Sequence, residues 1–552
     1  MTRTGGQILV DQLRVHGVET AFCVPGESYL ALLDALYDSE IRLISCRHEA
    51  AAANMAEAYG KLTGRPGICL VTRAPGAMHA SVGLHTAFQD STPMILLIGQ
   101  VARRMLEREA FQELDYRRVF GELAKWVGQV DDPQRLPELV ARAFATATSG
   151  RPGPVVLVLP EDMLGEECDV ADAAPYRRAV AYPGEAQLEE LGQLLARAKR
   201  PLVFVGEGGW TAQTGADVLA FCEANALPVA AQFRCQDYVD NRSDCYCGHV
   251  GIATDPKLAQ RLQDADFLLV VGGQLGEMTT RSYTLIDIPT PRQTLVHVHP
   301  GPEELGRVYQ AELPINSGLP QFAAALHRVG VKDPPWRDWT AAARAEYVEN
   351  LHHRELPGEL QLGDVMAFLR ERLPADAVFT CGAGNFTVWA HRFYEFSEFG
   401  TQLAPRSGAM GYGVPAALAA KVVQPERMVV CLAGDGDFLM SGQELATAVQ
   451  YELGVLVLVV NNGMYGTIRM HQERLYPGRV IGTDLVNPDF VAYAEAFGAH
   501  AELVARTEQF EDAFERALAS GRPALLELRV DPDAITARQT LTEIRQAAMR
   551  SR

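Results

Sequence analysis

The sequence contains no uninterrupted apolar run of 18 residues, the length that a membrane-spanning helix requires. Its first residues, MTRTGGQILVDQLRVHG, have the pattern of an amphipathic helix and lack the apolar centre of a secretory signal. It also lacks a basic block, because 50 basic and 69 acidic residues give a formal charge of −19 that is spread along the chain. These absences argue against a membrane-spanning, secreted or nucleic-acid-binding protein.

The paired two-residue cysteine spacing of zinc sites is missing as well. Cys245 and Cys247, near Cys235, are a weak candidate for a metal knuckle, and several of the ten cysteines lie in apolar runs, where cysteine acts as a small hydrophobe. We therefore expect reduced thiols and a cytoplasmic protein.

Short repeats and low-complexity segments are also absent, and three segments instead alternate apolar runs with helical patterns. This alternation predicts an α/β fold of three consecutive doubly wound parallel-sheet domains. Glycines follow the strands in each domain, at the edge where open α/β sheets bind ligands. The predicted domains are residues 1–165, 186–331 and 355–552.

The stretch CLAGDGDFLMSGQELATAVQYELGVLVLVVNNGMYGT carries polar residues at the exits of two apolar runs. Asp435 follows the run 428–433, and Asn462 follows the run 455–460. Between them, Ser441 and Glu444 have the spacing of a capping box and predict the start of one helix there. One crossover then brings a carboxylate and an amide oxygen together, with amide donors from residues 436–438 between them. This arrangement predicts a site for magnesium and a diphosphate.

With this GDG and NN spacing, the sequence resembles the thiamine diphosphate-dependent enzymes, and among them the acetolactate synthase group. The resemblance covers nearly the whole chain, including SGAMGYGVPAALAA and TRAPGAMHASVGLHTAFQDSTPMILLIGQV. It implies that the first domain binds the pyrimidine of the cofactor and that the third domain binds its diphosphate. The central domain lies between them in the sequence. It also implies Mg²⁺ held by the side chains of Asp435 and Asn462 and the backbone carbonyl of Met464.

Further roles follow from the same resemblance. Met410 supports the bent cofactor, and the backbone of Gly408 holds its amino group. The remaining implied cofactor contacts are Pro75, Gly384, Asn385, Gly434, Gly436, Asp437 and Phe438. Active sites at a subunit interface are also implied, and hence a homodimer or a homotetramer.

Activation of the cofactor requires a carboxyl group, and RLISCRHEAAAANMAEAYGKLTG offers Glu49 after a strand and before an alanine-rich helix. The small side chains of that helix leave room for a ring, and apolar surroundings favour a carboxyl that shares its proton. The resemblance implies that Glu49 is the activating acid. The simpler alternative is a glutamate that only caps the helix.

Several positions favour a synthase, which joins two carbonyl compounds, over a simple decarboxylase. Gln112 in AFQE is implied at the substrate pocket, with a buried structural amide as the alternative, and the adjacent histidines of pyruvate decarboxylases are absent from this region. Where biosynthetic synthases carry Arg-Phe-Asp-Asp-Arg, this chain has residues 274–278, QLGEM. In those synthases the first arginine of the segment grips the carboxylate of the acceptor, and the segment helps to hold FAD. Without that arginine the bidentate grip is lost, so the resemblance argues against FAD here and leaves the acceptor open.

Two further positions depart from the synthases. Glu27 in VPGESYL is either an acid that acts on an intermediate or a solvated residue in a first helical turn. His471 stands where synthases have a tryptophan, and it is either a second acid–base group or a polar lid residue.

The sequence thus predicts an enzyme that decarboxylates a small 2-oxoacid, first of all pyruvate, and ligates the product to a carbonyl acceptor. The alternatives are a 2-oxoacid decarboxylase or acyloin lyase of unknown substrate, and a catalytically inactive cofactor-binding relative. A nicotinamide-linked enzyme is disfavoured, because no G-x-G-x-x-G follows a strand with an acid at the required distance.

Overall fold

Three six-stranded sheets, each wholly parallel, organise residues 2–551, which the computed structural model describes. One compact unit comprises the chain up to Val180 together with Leu418–Val423, and it contains the first sheet. The other unit, Ala181–Ala417 and Gln424–Arg552, contains the second and third sheets. The predicted fold class is confirmed, and the exact domain boundaries stay a prediction.

The first sheet has the strand order β3-β2-β4-β5-β7-β6, while the short strands β1 and β8 form a separate antiparallel pair. The helix predicted at the N-terminus is present, and the side chains of Thr4 and Gln7 form its capping box. Alternate residues of its strands pack against α1, α2 and α6 in one buried apolar cluster on one face of the sheet. The strands are β1 Arg3–Thr4, β2 Thr20–Cys23, β3 Arg42–Ser45, β4 Gly67–Val71, β5 Met94–Gln100, β6 Trp126–Gln129, β7 Pro154–Pro160 and β8 Glu167–Cys168; the helices are α1 Gly5–Val15, α2 Leu30–Tyr37, α3 Glu49–Thr63, α4 Ala74–Gln89, α5 Tyr116–Phe120, α6 Leu136–Thr148 and α7 Glu161–Gly165.

The second sheet has the order β11-β10-β9-β12-β13-β14, so the direction of winding reverses between β9 and β12. Its strands are continuous apolar runs, as expected for a sheet that helices cover on both faces. The elements are α8 Glu185–Ala196, β9 Pro201–Val205, α9 Ala212–Ala224, β10 Val229–Ala231, β11 Tyr246–His249, α10 Pro256–Asp264, β12 Phe267–Val271, β13 Thr294–His299, β14 Leu313–Asn316, α11 Leu319–Ala325 and α12 Arg337–Asn350.

The third sheet has the order β16-β15-β17-β18-β20-β19, and its winding reverses between β15 and β17. Ligands bind open α/β sheets at such a reversal, just beyond the carboxyl ends of the strands. The elements are α13 Leu362–Arg372, β15 Val378–Cys381, α14 Thr387–Phe393, β16 Gln402–Leu403, α15 Gly413–Val423, β17 Val429–Gly434, α16 Asp435–Phe438, α17 Leu445–Gln450, β18 Leu456–Asn461, α18 Gly466–Leu475, α19 Phe490–Ala496, β19 His500–Val504, α20 Phe510–Ala519, β20 Ala524–Arg529 and α21 Leu541–Arg550.

The capping box predicted at Ser441 is wrong. A short helix, α16, begins directly after β17, and a 3₁₀ turn over Gly442–Glu444 then leads into α17. Ser441 has φ −146° and ψ 11° and makes no side-chain cap, because this is not the extended backbone from which a capping hydroxyl reaches the helix amides. The Glu444 carboxylate accepts instead from the Thr447 hydroxyl at 2.6 Å. The first helical amides after β17 therefore belong to α16.

All ten cysteines are free thiols, and only Cys168 of them is not fully buried. Within residues 2–551, no cysteine belongs to a group of three or more side chains that could hold a metal ion. Cys245 and Cys247 instead lie in the core of the second sheet. In the same residues, no helix is both long and apolar enough to cross a membrane.

Candidate cofactor site

A cavity of about 260 Å³ opens at the point where the winding of the third sheet reverses. Its walls come from the loops after β15, β17 and β18 and from the loop before α15. The structure thus brings most of the predicted third-domain residues together around one space. The predicted residues that line it are Gly384, Asn385, Gly408, Met410, Gly434, Asp435, Gly436, Asp437, Asn462 and Met464.

Asp435 is held in position through both of its carboxylate oxygens. Oδ1 accepts from the Gly436 amide at 2.9 Å, while Oδ2 accepts from the Gly463 amide at 2.9 Å and from Asn487 Nδ2 at 2.8 Å. Burial raises the pKa of Asp435, and these donors act in the opposite direction by stabilising the charged form. Sequence reasoning missed Asn487, which follows no periodic pattern and reaches Asp435 only through the fold.

The two adjacent asparagines after β18 have different roles. Asn462 lines the cavity, and its Oδ1 accepts from the Met464 amide at 3.1 Å. Asn461 instead braces the loop, because its Oδ1 accepts from Asn487 Nδ2 at 2.9 Å and its Nδ2 donates to Glu527 at 2.8 Å.

Asp437 joins two walls of the cavity. Its Oδ1 accepts from the Ala383 amide at 3.1 Å and from the Gly411 amide at 2.8 Å. A Cβ at Gly382 would lie 2.1 Å from this oxygen, so only glycine fits there. Burial raises the pKa of Asp437 to about 7, against the opposing effect of both amides and the positive charge of Arg234. Asp437 thereby fixes the loop that carries Met410.

Asn385 and Phe438 support the walls in other ways. The Asn385 amide donates to Thr467 Oγ1 at 3.0 Å, and that hydroxyl donates back to Asn385 Oδ1 at 3.0 Å. The Phe438 side chain does not line the cavity: it packs edge-on against Phe490 and Tyr493. Only the backbone of Phe438 is therefore available for the role predicted from the sequence.

The chemistry of this cavity fits a diphosphate and a hard divalent cation. Asp435 and Asn462 supply carboxylate and amide oxygens, the ligand types that Mg²⁺ prefers. Beside Asp435, the buried Oδ1 of Asn487 has no hydrogen-bond partner among the described residues. Gly384, Gly434 and Gly436 leave the backbone open to a ligand, while Met410 and Ile468 supply apolar surface.

In the first unit, Glu49 is the first residue of α3. The cap of this helix is His48, whose Nδ1 accepts from the Ala50 amide at 3.1 Å, so the carboxylate of Glu49 is not used as a cap. Glu49 Oε2 lies 2.9 Å from His79 Nδ1, and its side chain is 14% exposed. The other oxygen, Oε1, faces Gly76 of α4, where an added Cβ would lie 3.3 Å away.

His48, Glu49 and His79 are close enough together to suggest a metal site. The two imidazole rings, however, are stacked, with centroids 4.6 Å apart and planes 29° from parallel. A metal ion binds in the plane of an imidazole, so two nearly parallel stacked rings do not direct their lone pairs at one point. This arrangement suits hydrogen bonding better than coordination of a shared ion.

The remaining predicted residues of the first unit are Glu27, Pro75 and Gln112. The Glu27 side chain is 69% exposed and lies 3.5 Å from Arg73 Nη1, at the reversal between β2 and β4. Pro75 is exposed in the first turn of α4. Gln112 has a left-handed φ of 65°, and its carbonyl oxygen accepts from the Ala74 amide at 3.2 Å.

His471 belongs to the second unit, on the exposed side of α18. Partial desolvation and the neighbouring Arg474 lower its pKa. A neutral imidazole at neutral pH is compatible with either role predicted from the sequence, the acid–base group or the lid residue.

Three family models match the chain, one for each sheet. The "Thiamine pyrophosphate enzyme, N-terminal TPP binding domain" matches residues 3–119, the central domain of the same family matches residues 188–326, and the C-terminal TPP binding domain matches residues 382–528. The C-terminal match includes all of the cavity residues named above.

Individual relatives agree over nearly the whole length. The acetolactate synthase isozyme 2 large subunit of Escherichia coli is 31% identical over 534 residues, which cover 96% of this chain and 95% of that protein. The acetolactate synthase large subunit of Corynebacterium glutamicum is 31% identical over 96% of this chain and 87% of its own. A probable acetolactate synthase large subunit of Methanocaldococcus jannaschii is 29% identical over 96% and 92%.

The chain therefore belongs to the thiamine pyrophosphate enzymes, and within that family to the group of acetolactate synthase-like proteins. Thiamine pyrophosphate is another name for thiamine diphosphate, so the predicted family and its organic cofactor are confirmed. The metal and the roles of individual residues stay predictions.

Proposed function

We propose that this enzyme decarboxylates a small 2-oxoacid, pyruvate first of all, and ligates the resulting two-carbon unit to a carbonyl acceptor, as an acetolactate synthase-like carboligase. The observation that carries this proposal is that Asp435, Asn462 and Met410 line the same cavity at the reversal of the third sheet. The names of the relatives, all acetolactate synthases, support the same reaction class.

Residues of the third sheet would hold the cofactor. When bound, thiamine diphosphate supplies a carbon nucleophile for the 2-oxoacid carbonyl and accepts the electrons released with carbon dioxide. The side chains of Asp435 and Asn462, with the carbonyl oxygen of Met464, would hold Mg²⁺ against the diphosphate. Backbone groups of residues 434–438 and 384–385 would line the diphosphate, and Gly408 and Met410 the rings.

Glu49 would be the activating acid. Its Oε1 faces the space that Gly76 leaves open, while Oε2 is hydrogen-bonded to His79. The resemblance to the thiamine diphosphate enzymes implies that this glutamate and the diphosphate site belong to different subunits. We accordingly propose a homodimer as the smallest active assembly, or a homotetramer built from two such dimers.

Gln112, Glu27 and His471 would act on the substrates. The exposure of Glu27 leaves its carboxylate available to an intermediate, and a neutral His471 is able to accept a proton. The free, mostly buried thiols support a cytoplasmic enzyme.

A second candidate is a 2-oxoacid decarboxylase or acyloin lyase. The segment QLGEM, at the place of the synthase arginine, favours it because no guanidinium there grips an acceptor carboxylate. The same segment supports our prediction that FAD is not a cofactor.

The test is to incubate the purified protein with thiamine diphosphate, Mg²⁺ and pyruvate, and to quantify carbon dioxide, acetaldehyde and acetolactate together. Acetolactate formed in step with carbon dioxide is the expected result. Acetaldehyde alone would select the second candidate, whereas cofactor binding without any product from a panel of 2-oxoacids would indicate an inactive relative.

Two variants test the site itself. Asp435→Ala should abolish Mg²⁺-dependent cofactor binding, and Glu49→Gln should keep binding but remove most exchange of the cofactor C2 proton. Asp512→Ala, an exposed aspartate of α20, is the matched control for the first variant. Normal turnover in either site variant would refute the assignment.

A further inference from the structure

His79 connects Glu49 to the surface of the first unit. It lies one helical turn after Gly76 on α4, so both residues are on the face of α4 that covers the Glu49 carboxylate. His79 therefore contacts Glu49 at Oε2, while Oε1 lies against Gly76, where an added Cβ would be 3.3 Å from it. In the protomer, the side chain of His79 is 52% exposed against 14% for Glu49. The imidazole thus lies between the carboxyl and the surface.

His48 holds the imidazole of His79 in this position. Its Nδ1 accepts from the Ala50 amide, which fixes the ring, and His79 stacks on that ring at 4.6 Å. Burial and the neighbouring His79 lower the pKa of His48, which favours the neutral form that an acceptor at Nδ1 must have. A fixed neutral ring gives His79 a surface to pack on without adding a competing charge.

We propose that His79 is a positioning residue that gives its Nδ1 proton to Glu49 Oε2 and takes it back, keeping the activating carboxyl supplied with a proton. The inference rests on the proposed role of Glu49. In the step, the Nδ1–H bond of the imidazolium breaks and its electron pair stays on nitrogen. The proton forms an O–H bond at Oε2, so an ion pair becomes a neutral imidazole and a neutral carboxylic acid.

The other titratable groups around this pair do not compete for the proton. His48 faces His79 from the start of α3, and the buried Tyr29 and Cys69 are near enough to Glu49 to interact with its charge. Burial raises the pKa of the Tyr29 phenol and of the Cys69 thiol, so both keep their protons at neutral pH.

The first experiment counts the protons taken up when the cofactor binds. Calorimetric titration of thiamine diphosphate in the presence of Mg²⁺ is run at about pH 6 in buffers of different ionisation enthalpy. If His79 supplies the proton, the wild type should take up few protons on binding, because the proton that Glu49 needs then comes from within the protein. His79→Asn keeps an N–H donor near Oε2 but cannot release a proton, so it should take up about one proton more.

The second experiment follows the exchange of the cofactor C2 proton against pH. We expect His79→Ala to slow exchange about tenfold and His79→Asn to change the pH at which exchange rises, since general acid–base groups act near their pKa. His85→Asn, an exposed histidine further along α4, is the matched control and should match the wild type in both experiments.

The outcomes separate the two assignments. If His79→Asn takes up as many protons as the wild type and has the same pH profile, while Glu49→Gln slows exchange, the relay is refuted and the proposed function stands. If Glu49→Gln itself exchanges normally, the proposed role of Glu49 fails, and the relay fails with it. Loss of cofactor binding in His79→Asn would show a structural or cofactor-binding role and would also overturn the relay.

Discussion

The side-chain amide of Asn487 donates to Oδ2 of Asp435 at 2.8 Å and to Oδ1 of Asn461 at 2.9 Å. One residue beyond the predicted motif therefore orients the carboxylate that we assign to Mg²⁺ and the loop that carries Asn462. Groups that orient a metal ligand change metal affinity without touching the ion.

We predict that Asn487→Ala weakens Mg²⁺ binding about 10- to 100-fold, the usual effect of losing such a partner. Asp435 would keep the hydrogen bonds from the Gly436 and Gly463 amides but lose the side-chain donor that sets the rotation of its carboxylate. The measurement is the Mg²⁺ concentration at half-maximal cofactor binding. Asn350→Ala, whose side chain accepts from Arg538 instead, is the control. Unchanged Mg²⁺ dependence in Asn487→Ala would exclude an orienting role.

Met410 gives a second prediction, because it lines the cavity with an apolar side chain that is not fully buried by the protein. Met410→Ala removes about three methylene-sized groups at about 0.8 kcal/mol each, so thiamine diphosphate should bind about 2 kcal/mol more weakly. Met410→Leu conserves most of the volume and should bind nearly as the wild type does. Calorimetric titration at saturating Mg²⁺ measures both, and equal affinity of the alanine variant would remove Met410 from the cofactor surface.

Much of this site could be predicted from the sequence because its polar residues directly follow apolar strands. Asp435 and Asn462 are examples. They follow two adjacent parallel strands, whose carboxyl ends lie at the same edge of the sheet, so the two residues are expected to be neighbours. The same reasoning missed Asn487 and His79, which reach the carboxylates across the fold and stand in no strand or spacing pattern. It also misplaced the helix start at Ser441, where tertiary contacts override a local capping signal.

A pH prediction follows from Asp437, whose pKa is raised by burial to about 7, against about 3.9 in an unfolded chain. A raised pKa means that the folded state binds the proton more tightly, so this contribution to stability is full below about pH 4 and is lost as the pH rises to about 7. Asp437→Asn keeps an oxygen for the Ala383 and Gly411 amides but does not titrate. Without cofactor, the free energy of unfolding of the wild type should therefore fall more steeply over this range than that of the variant. The difference between the two slopes should reach about 1.4 kcal/mol per pH unit.

Urea unfolding at a series of pH values measures this difference. The control is Asp512→Asn, an exposed aspartate that should leave the slope as it is in the wild type. Parallel slopes for Asp437→Asn and the wild type would mean that Asp437 is ionised in the folded protein throughout this range.

Arg234 links the second sheet to the cofactor cavity. This buried guanidinium, on the loop after β10, donates to the carbonyl oxygens of Pro405 and Gly382, and the latter bond is 2.8 Å long. Gly382 contacts Asp437, and Pro405 begins the loop that leads to Met410. Arg234 therefore connects the central sheet to both walls of the site, and its loss should affect both stability and cofactor binding.

We predict that Arg234→Ala lowers the free energy of unfolding by about 3 kcal/mol, since each hydrogen bond from a charged group contributes about 1.5–3 kcal/mol and two are lost. Arg234→Lys should recover only part of this, because a single ammonium does not reproduce the fork of a guanidinium. Arg242→Ala, on the exposed part of the same loop region, should cost less than about 1 kcal/mol. If the alanine variant at 234 unfolded like that control and bound cofactor normally, the second sheet would have no part in shaping the site.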